Sequence, residues 1–238
     1  MDNVLDTATQ VIGAIGGLGL ASFTLVDAFK ALPGGGPSRV GFRSISDLVT
    51  ACLPDIPAVS GTNDTASDPM RTGRRIVLNT VESNWINGMA LSDQKAVARS
   101  LVKLYMRVET AGSVARHLGV SAADLAAVAK VWCDGPAKDG ATDPTSSVVG
   151  RIDLALTGMI DGAYQRADQR YRNVSKLLAG IVSIVIATTT GAVVFEFNAS
   201  KIFLSFIAGL FAVPLAPIAK DLTSALQAGV KVAQALRK

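Results

Sequence analysis

The side chains that most often do chemistry are scarce in this chain, and their spacing assembles no known site. His117 is the only histidine in 238 residues. No histidine-based metal cluster or catalytic triad can therefore form within one chain except around that single imidazole. Its place in a short helical corner reads as structural or exposed. Cys52 and Cys133 lie far apart with no CxxC partner, which supports neither a metal site nor a disulfide framework, and both are expected as reduced thiols. There is no activated-serine motif and no paired-carboxylate signature. The run Gly34-Gly35-Gly36 resembles a phosphate-cradling loop, but no Lys-Ser/Thr pair follows it and no strand is expected before it. Asp27 and Glu196 sit at the edges of apolar stretches and read as boundary residues, not proton relays. The expectation is a chain that is not an enzyme, with no metal and no cofactor.

Two other patterns carry physical meaning. Small residues recur four apart at Gly13, Gly17 and Ala21, and again at Ala208, Ala212 and Ala216. In lipid, such stripes let helices approach closely, within or between chains. Hydroxyls at Ser183, Thr188, Thr189 and Thr190 interrupt an otherwise apolar run and are candidates to line a water-filled pore. The plainer reading is that they bond back to their own helix.

The elements that must position these residues are set by composition. Hydrophobic residues make up 49% of the chain while aromatics make up 5% and charged residues 18%, a balance unusual for a soluble domain of this length. Thr7 to Val26 contains no charged residue over 20 positions. As a helix it reaches roughly 30 Å, the thickness of bilayer hydrocarbon. The MDNVLD start is acidic and lacks the positive region of a cleavable signal, so retention of this span is expected. Leu177 to Phe195 and Ile202 to Ala219 are similarly uncharged, and the short EFNASK connection makes them an antiparallel hairpin. Pro214 and Pro217 are expected to bend or interrupt the third span near its end.

Asp2 and Asp6 precede the first span, whereas Lys30, Arg39 and Arg43 follow it. Arg166, Arg170, Arg172 and Lys176 precede the second span, and Lys220, Lys231, Arg237 and Lys238 follow the third. The positive-inside rule then places the N-terminus and hairpin tip outside, and the middle domain and C-terminus in the cytosol. The net charge of +4 forms no dense block of the kind a nucleic-acid binder carries.

Five segments follow: an N-terminal transmembrane helix (1–30), a glycine- and proline-rich juxtamembrane and loop segment (31–69), a cytosolic helical domain (70–145), a long helix with the transmembrane hairpin (146–219), and a basic amphipathic helix (220–238). The last segment has Leu222, Leu226, Val230 and Ala233 on one face. In the cytosolic part, Ser92 and Ser121 are expected N-caps, and Val97, Leu101, Leu104 and Val108 share a helical face. Thr110 to Val128 has the pattern of a helix-turn-helix, with Ala115, Gly119 and Val128 in the packing and turn positions. Its second helix offers Ala122, Ala123, Asp124, Ala126 and Ala127 where a DNA reader needs Arg, Gln or Asn, so no nucleic-acid partner is expected. From Ser146 to Phe195 there is no proline, which permits one helix of about 50 residues. Val149, Ile152, Leu156, Ile160, Ala163, Ala167, Tyr171 and Val174 form a coiled-coil-like seam along it, suited to the domain's own helices or to a neighbouring chain.

The run MIDGAYQRADQRYRNVSKLLAGIVSIVIATTTGAVVF, with the first span and its glycine-rich exit, resembles a broad group of uncharacterised bacterial integral membrane proteins. The resemblance implies the same layout of one N-terminal span, a cytosolic helical domain and a terminal hairpin. It brings no catalytic residue. The fold class expected is thus an all-α integral membrane protein with three transmembrane helices, a cytosolic helical domain and a long helix continuing into the second span. The functional expectation is a self-associating scaffold in the bacterial inner membrane, with the bilayer, further copies of itself and an unidentified cytosolic protein as partners. The alternative is an oligomeric pore.

Overall fold

In a computed structural model, the structure describes residues 2–29, 36–54, 69–135 and 146–236, with side chains at 10–29, 36–54, 72–135, 146–221 and 224. The described residues form eight α-helices and no strand: α1 (Asp2–Ala28), α2 (Gly36–Cys52), α3 (Pro69–Ile86), α4 (Leu91–Tyr105), α5 (Ala111–Leu118), α6 (Ala122–Asp134), α7 (Ser146–Val194) and α8 (Ala199–Leu236). A 3-10 turn, Val108–Thr110, precedes α5. Three of the helices are long and apolar enough to cross a membrane, at Gln10–Ala28, within α7, and at Ala199–Asp221. The all-α class with three such helices is as the sequence indicates, and so is the uninterrupted α7. The loop expected over 54–69 lies outside the described residues at 55–68.

The chain divides into two compact units, one comprising Ser38–Tyr171 and the other Met1–Pro37 with Arg172–Lys238. The first is built around an aliphatic core. Isolated helices of this length are marginal in water, so each forms because one stripe of it is buried. On α2 that stripe is Phe42, Ile45, Val49 and Cys52, and on α3 it is Val77 and Val81. The α6 stripe is Leu125, Val128 and Ala129, and α7 contributes Ile152, Leu156, Ile160, Ala163, Tyr164 and Ala167. Burying each Leu or Ile fully is worth about 1.5–3 kcal/mol. An aromatic corner completes the core: Trp85 stands edge-on to Tyr164 and to Tyr171, with both centroid separations 6.4 Å. The indole N–H of Trp85 donates to the Ser38 carbonyl at 2.9 Å, tying α3 to α2. Ion pairs Lys95–Asp161 (2.9 Å) and Lys103–Asp153 (2.5 Å) fasten the outer edge of α4 to α7.

Three local expectations are corrected here. The segment read as glycine- and proline-rich loop contains α2, because Pro37 falls in the first turn, where its missing N–H is no loss. Ser92 does not cap α4: Ala90 is the N-cap, and the Ser92 hydroxyl bonds Asp93 within the first turn. The α4 stripe is also rotated from the expected one. Gln94, Ala98 and Val102 are buried, whereas Leu104 is 60% exposed. The α5–α6 corner forms as read. Gly119 adopts φ 66°, the left-handed conformation that ends α5, and the Ser121 hydroxyl accepts from the Asp124 N–H to start α6.

In the second unit, α7 turns into α8 through Phe195–Asn198, with Glu196 and Phe197 both at positive φ (50° and 58°). Asn198 Oδ1 accepts from the Lys201 N–H and caps α8. Pro214 and Pro217, expected to bend or interrupt the third span, do not interrupt it: α8 is one helix through both prolines and on to Leu236. Each proline removes one backbone donor without ending the helix, which apolar surroundings tolerate where neighbouring turns hold. The side chains of Leu222, Leu226, Val230, Lys231 and Ala233, and all of Arg237 and Lys238, lie outside the described residues.

Candidate functional site

Helix packing in the membrane unit rests on glycine. The buried residues of α1 with described side chains are Gly16, Gly19, Ser22 and Val26, one stripe of the helix. Gly16 lies against Ala219 and Leu215 of α8, and Gly19 against the Ala212 carbonyl and Ala216. A Cβ at either glycine would occupy space that α8 already fills. The backbones approach as closely as the absence of side chains allows.

Of the two expected stripes, the one on α8 packs within the chain and the one on α1 does not. Gly13 and Gly17 have nothing within 4 Å of where a Cβ would stand, and Ala21 is exposed. On α8, Ala212 and Ala216 are buried at the contact with α1, while Ala208 is half-buried. The α1 stripe was hidden because the run Gly13–Gly19 carries glycine on both faces of the helix.

The hairpin is held the same way. Gly209 lies against Ile184 and Ala187 of α7, and Gly191 against Ser205 of α8. Ser183 is fully buried, and its hydroxyl donates to the Gly209 carbonyl across the helices at 2.8 Å while reaching the Gly180 carbonyl at 2.9 Å. Thr188 donates to the Ile184 carbonyl at 2.6 Å and Thr189 to the Val185 carbonyl at 2.7 Å, and Thr190 is exposed. Three of the four hydroxyls considered as pore lining therefore bond to backbone carbonyls. The seam residues Ile152, Leu156, Ile160 and Ala163 lie in the core of the Ser38–Tyr171 unit, with Val149 packed against it.

A cleft of about 640 Å³ opens between α1 and α8. Val11, Ala14 and Ile15 form one wall, and Leu204, Ala208 and Phe211 the other. Toward the hairpin turn it is bounded by Phe195 and Lys201, whose ammonium stands 5.1 Å from the Phe195 ring centroid. No family model, no curated protein and no solved structure matches the chain.

Outside the membrane unit, chemistry-bearing groups are tied into the fold. The Cys52 thiol is fully buried, and loss of hydration pushes it up from its ordinary 9.0 to about 12, so it is a neutral packing group. Cys133 donates its S–H to the Met106 carbonyl at 3.0 Å. The exposed His117 ring bonds through Nδ1–H to the Ser113 carbonyl at 3.0 Å. Among the described residues no group of three or more His, Cys, Asp and Glu is placed to hold a metal ion.

Proposed function

We propose that this chain is a non-enzymatic scaffold of the bacterial inner membrane that self-associates through the open face of α1. The observation that carries this reading is the division of labour on that helix. Its Gly16–Gly19 stripe is filled by α8, while Gly13, Gly17 and Ala21 remain uncovered within the chain. A second small-residue face on an apolar helix is a surface on which another helix packs well in lipid. A second copy of α1 is the partner we assign to it. The basic flanks around the spans support an orientation with the N-terminus and hairpin tip outside and the Ser38–Tyr171 unit in the cytosol, where it is available to a protein partner.

Light scattering on protein in detergent and electron microscopy of nanodisc particles test the proposal. Wild type is expected as a defined oligomer, and Gly17→Leu as a smaller species with unchanged helical content. A monodisperse wild-type monomer overturns the reading. The pore has no comparable support, because the Ser183, Thr188 and Thr189 hydroxyls bond to backbone carbonyls. Liposomes carrying the protein are expected to stay tight to ions, and a sustained flux would replace the scaffold with the pore.

A further inference from the structure

The cleft between α1 and α8 joins two chemistries that are usually kept apart. Its walls are aliphatic and aromatic along Val11, Ile15, Leu204 and Phe211, and they belong to helices long and apolar enough to cross a bilayer. At the hairpin end it carries Lys201, the only charged residue that lines it among the described residues. Among the described residues no carboxylate pairs with Lys201, and its ammonium rests beside the face of Phe195. A cation at the end of an apolar slot calls for a ligand with a matching anion and a long hydrocarbon body.

We propose that this cleft binds one anionic phospholipid, with an acyl chain between α1 and α8 and the phosphate against Lys201. Charge complementarity selects this occupant. A free phosphate has no body to cover the apolar walls, and a neutral hydrocarbon leaves the Lys201 ammonium without a counter-charge. A zwitterionic lipid brings its own cation to the phosphate and competes with Lys201 for it. Lys201 also lies in the first turn of α8, whose positive end acts in the same direction. Ser205 contributes little to the headgroup, because its hydroxyl already donates to the Lys201 carbonyl at 3.0 Å.

This inference does not depend on self-association, since all the lining residues belong to a single chain. The test is native mass spectrometry of the full-length protein in detergent, titrated separately with dioleoylphosphatidylglycerol, dioleoylphosphatidylcholine and inorganic phosphate. Wild type is expected to retain one phosphatidylglycerol per chain about fivefold more tightly than phosphatidylcholine, the effect of a single cation near a lipid phosphate. Lys201→Gln is expected to bring the two lipids level and Lys201→Arg to restore the preference. Ala208→Trp, which fills the cleft, is expected to remove both lipids. Circular dichroism confirms that each variant keeps its helices. Equal retention of the two lipids by wild type overturns the proposal in favour of an unselective hydrocarbon groove. Displacement of phosphatidylglycerol by inorganic phosphate overturns it in favour of a bare anion site.

Discussion

The two cysteines show how one residue type acquires two characters from its surroundings. Cys52 is sealed in the α2 stripe, where only the uncharged thiol is tolerated. Below about pH 9 it is protonated in both the folded and the unfolded chain, so it adds no pH dependence there. Between 9 and about 12 the unfolded thiol ionises while the folded one does not. Folding stability should therefore fall with rising pH across that window, by at most ~1.4 kcal/mol per pH unit from this group. Denaturant unfolding of wild type and Cys52→Ala at pH 8 and pH 10.5 checks this, and the gap between the two proteins should narrow at the higher pH. Cys133 is only partly buried, and it should react with iodoacetamide in the native protein well before Cys52 does. Ser183 is a buried polar group satisfied across a helix contact. Ser183→Ala should cost about 0.6 kcal/mol, the average for interhelical bonds in lipid, read as a lowered melting temperature in detergent.

At the scale of elements, glycine position separates faces that look alike in composition. Gly19→Ala places a methyl where the Ala212 carbonyl already sits, and it should destabilise the α1–α8 contact by about 1–3 kcal/mol. Gly13→Ala meets open space and should leave thermal stability nearly unchanged, so comparing the two in one melting series tests the assigned packing face. On α7, Leu156 is fully buried within the Ser38–Tyr171 core. Leu156→Ala should cost about 2–5 kcal/mol, whereas Leu154→Ala, at a position 73% exposed on the same turn, should cost little. If both were neutral, the α7 seam would face a neighbouring chain and not its own core.

For the molecule as a whole, the two compact units imply a separable part. Ser38–Tyr171 holds a contiguous core from α2, α3, α4, α5, α6 and the first part of α7, and it excludes the apolar C-terminal part of α7. Expressed alone, it should be soluble, helical and cooperative in thermal unfolding. Aggregation or loss of helix would show that its fold depends on the membrane-spanning segments.

Much of this architecture is written along the chain in one dimension. Absence of charge over 18–20 residues, absence of proline from 146 to 195, and the Gly119–Ser121 turn are each properties of consecutive residues, and each determined its element without reference to any partner. Which face of an element is buried is a different kind of question. Around α1 the glycines at 13, 16, 17 and 19 point both ways, and along α4 Val97, Leu101 and Leu104 compete with Ala98 and Val102 for the inner side. Only the shape of the neighbouring helix chooses between such faces, because close packing rewards the stripe that leaves neither a void nor an overlap. The same holds for α2, whose glycine and proline suggest a turn until Phe42, Ile45 and Val49 find a core to enter. The α1–α8 cleft was equally invisible in the sequence, since Val11 and Phe211 lie 200 positions apart and Lys201 is there only the last residue of the EFNASK connection.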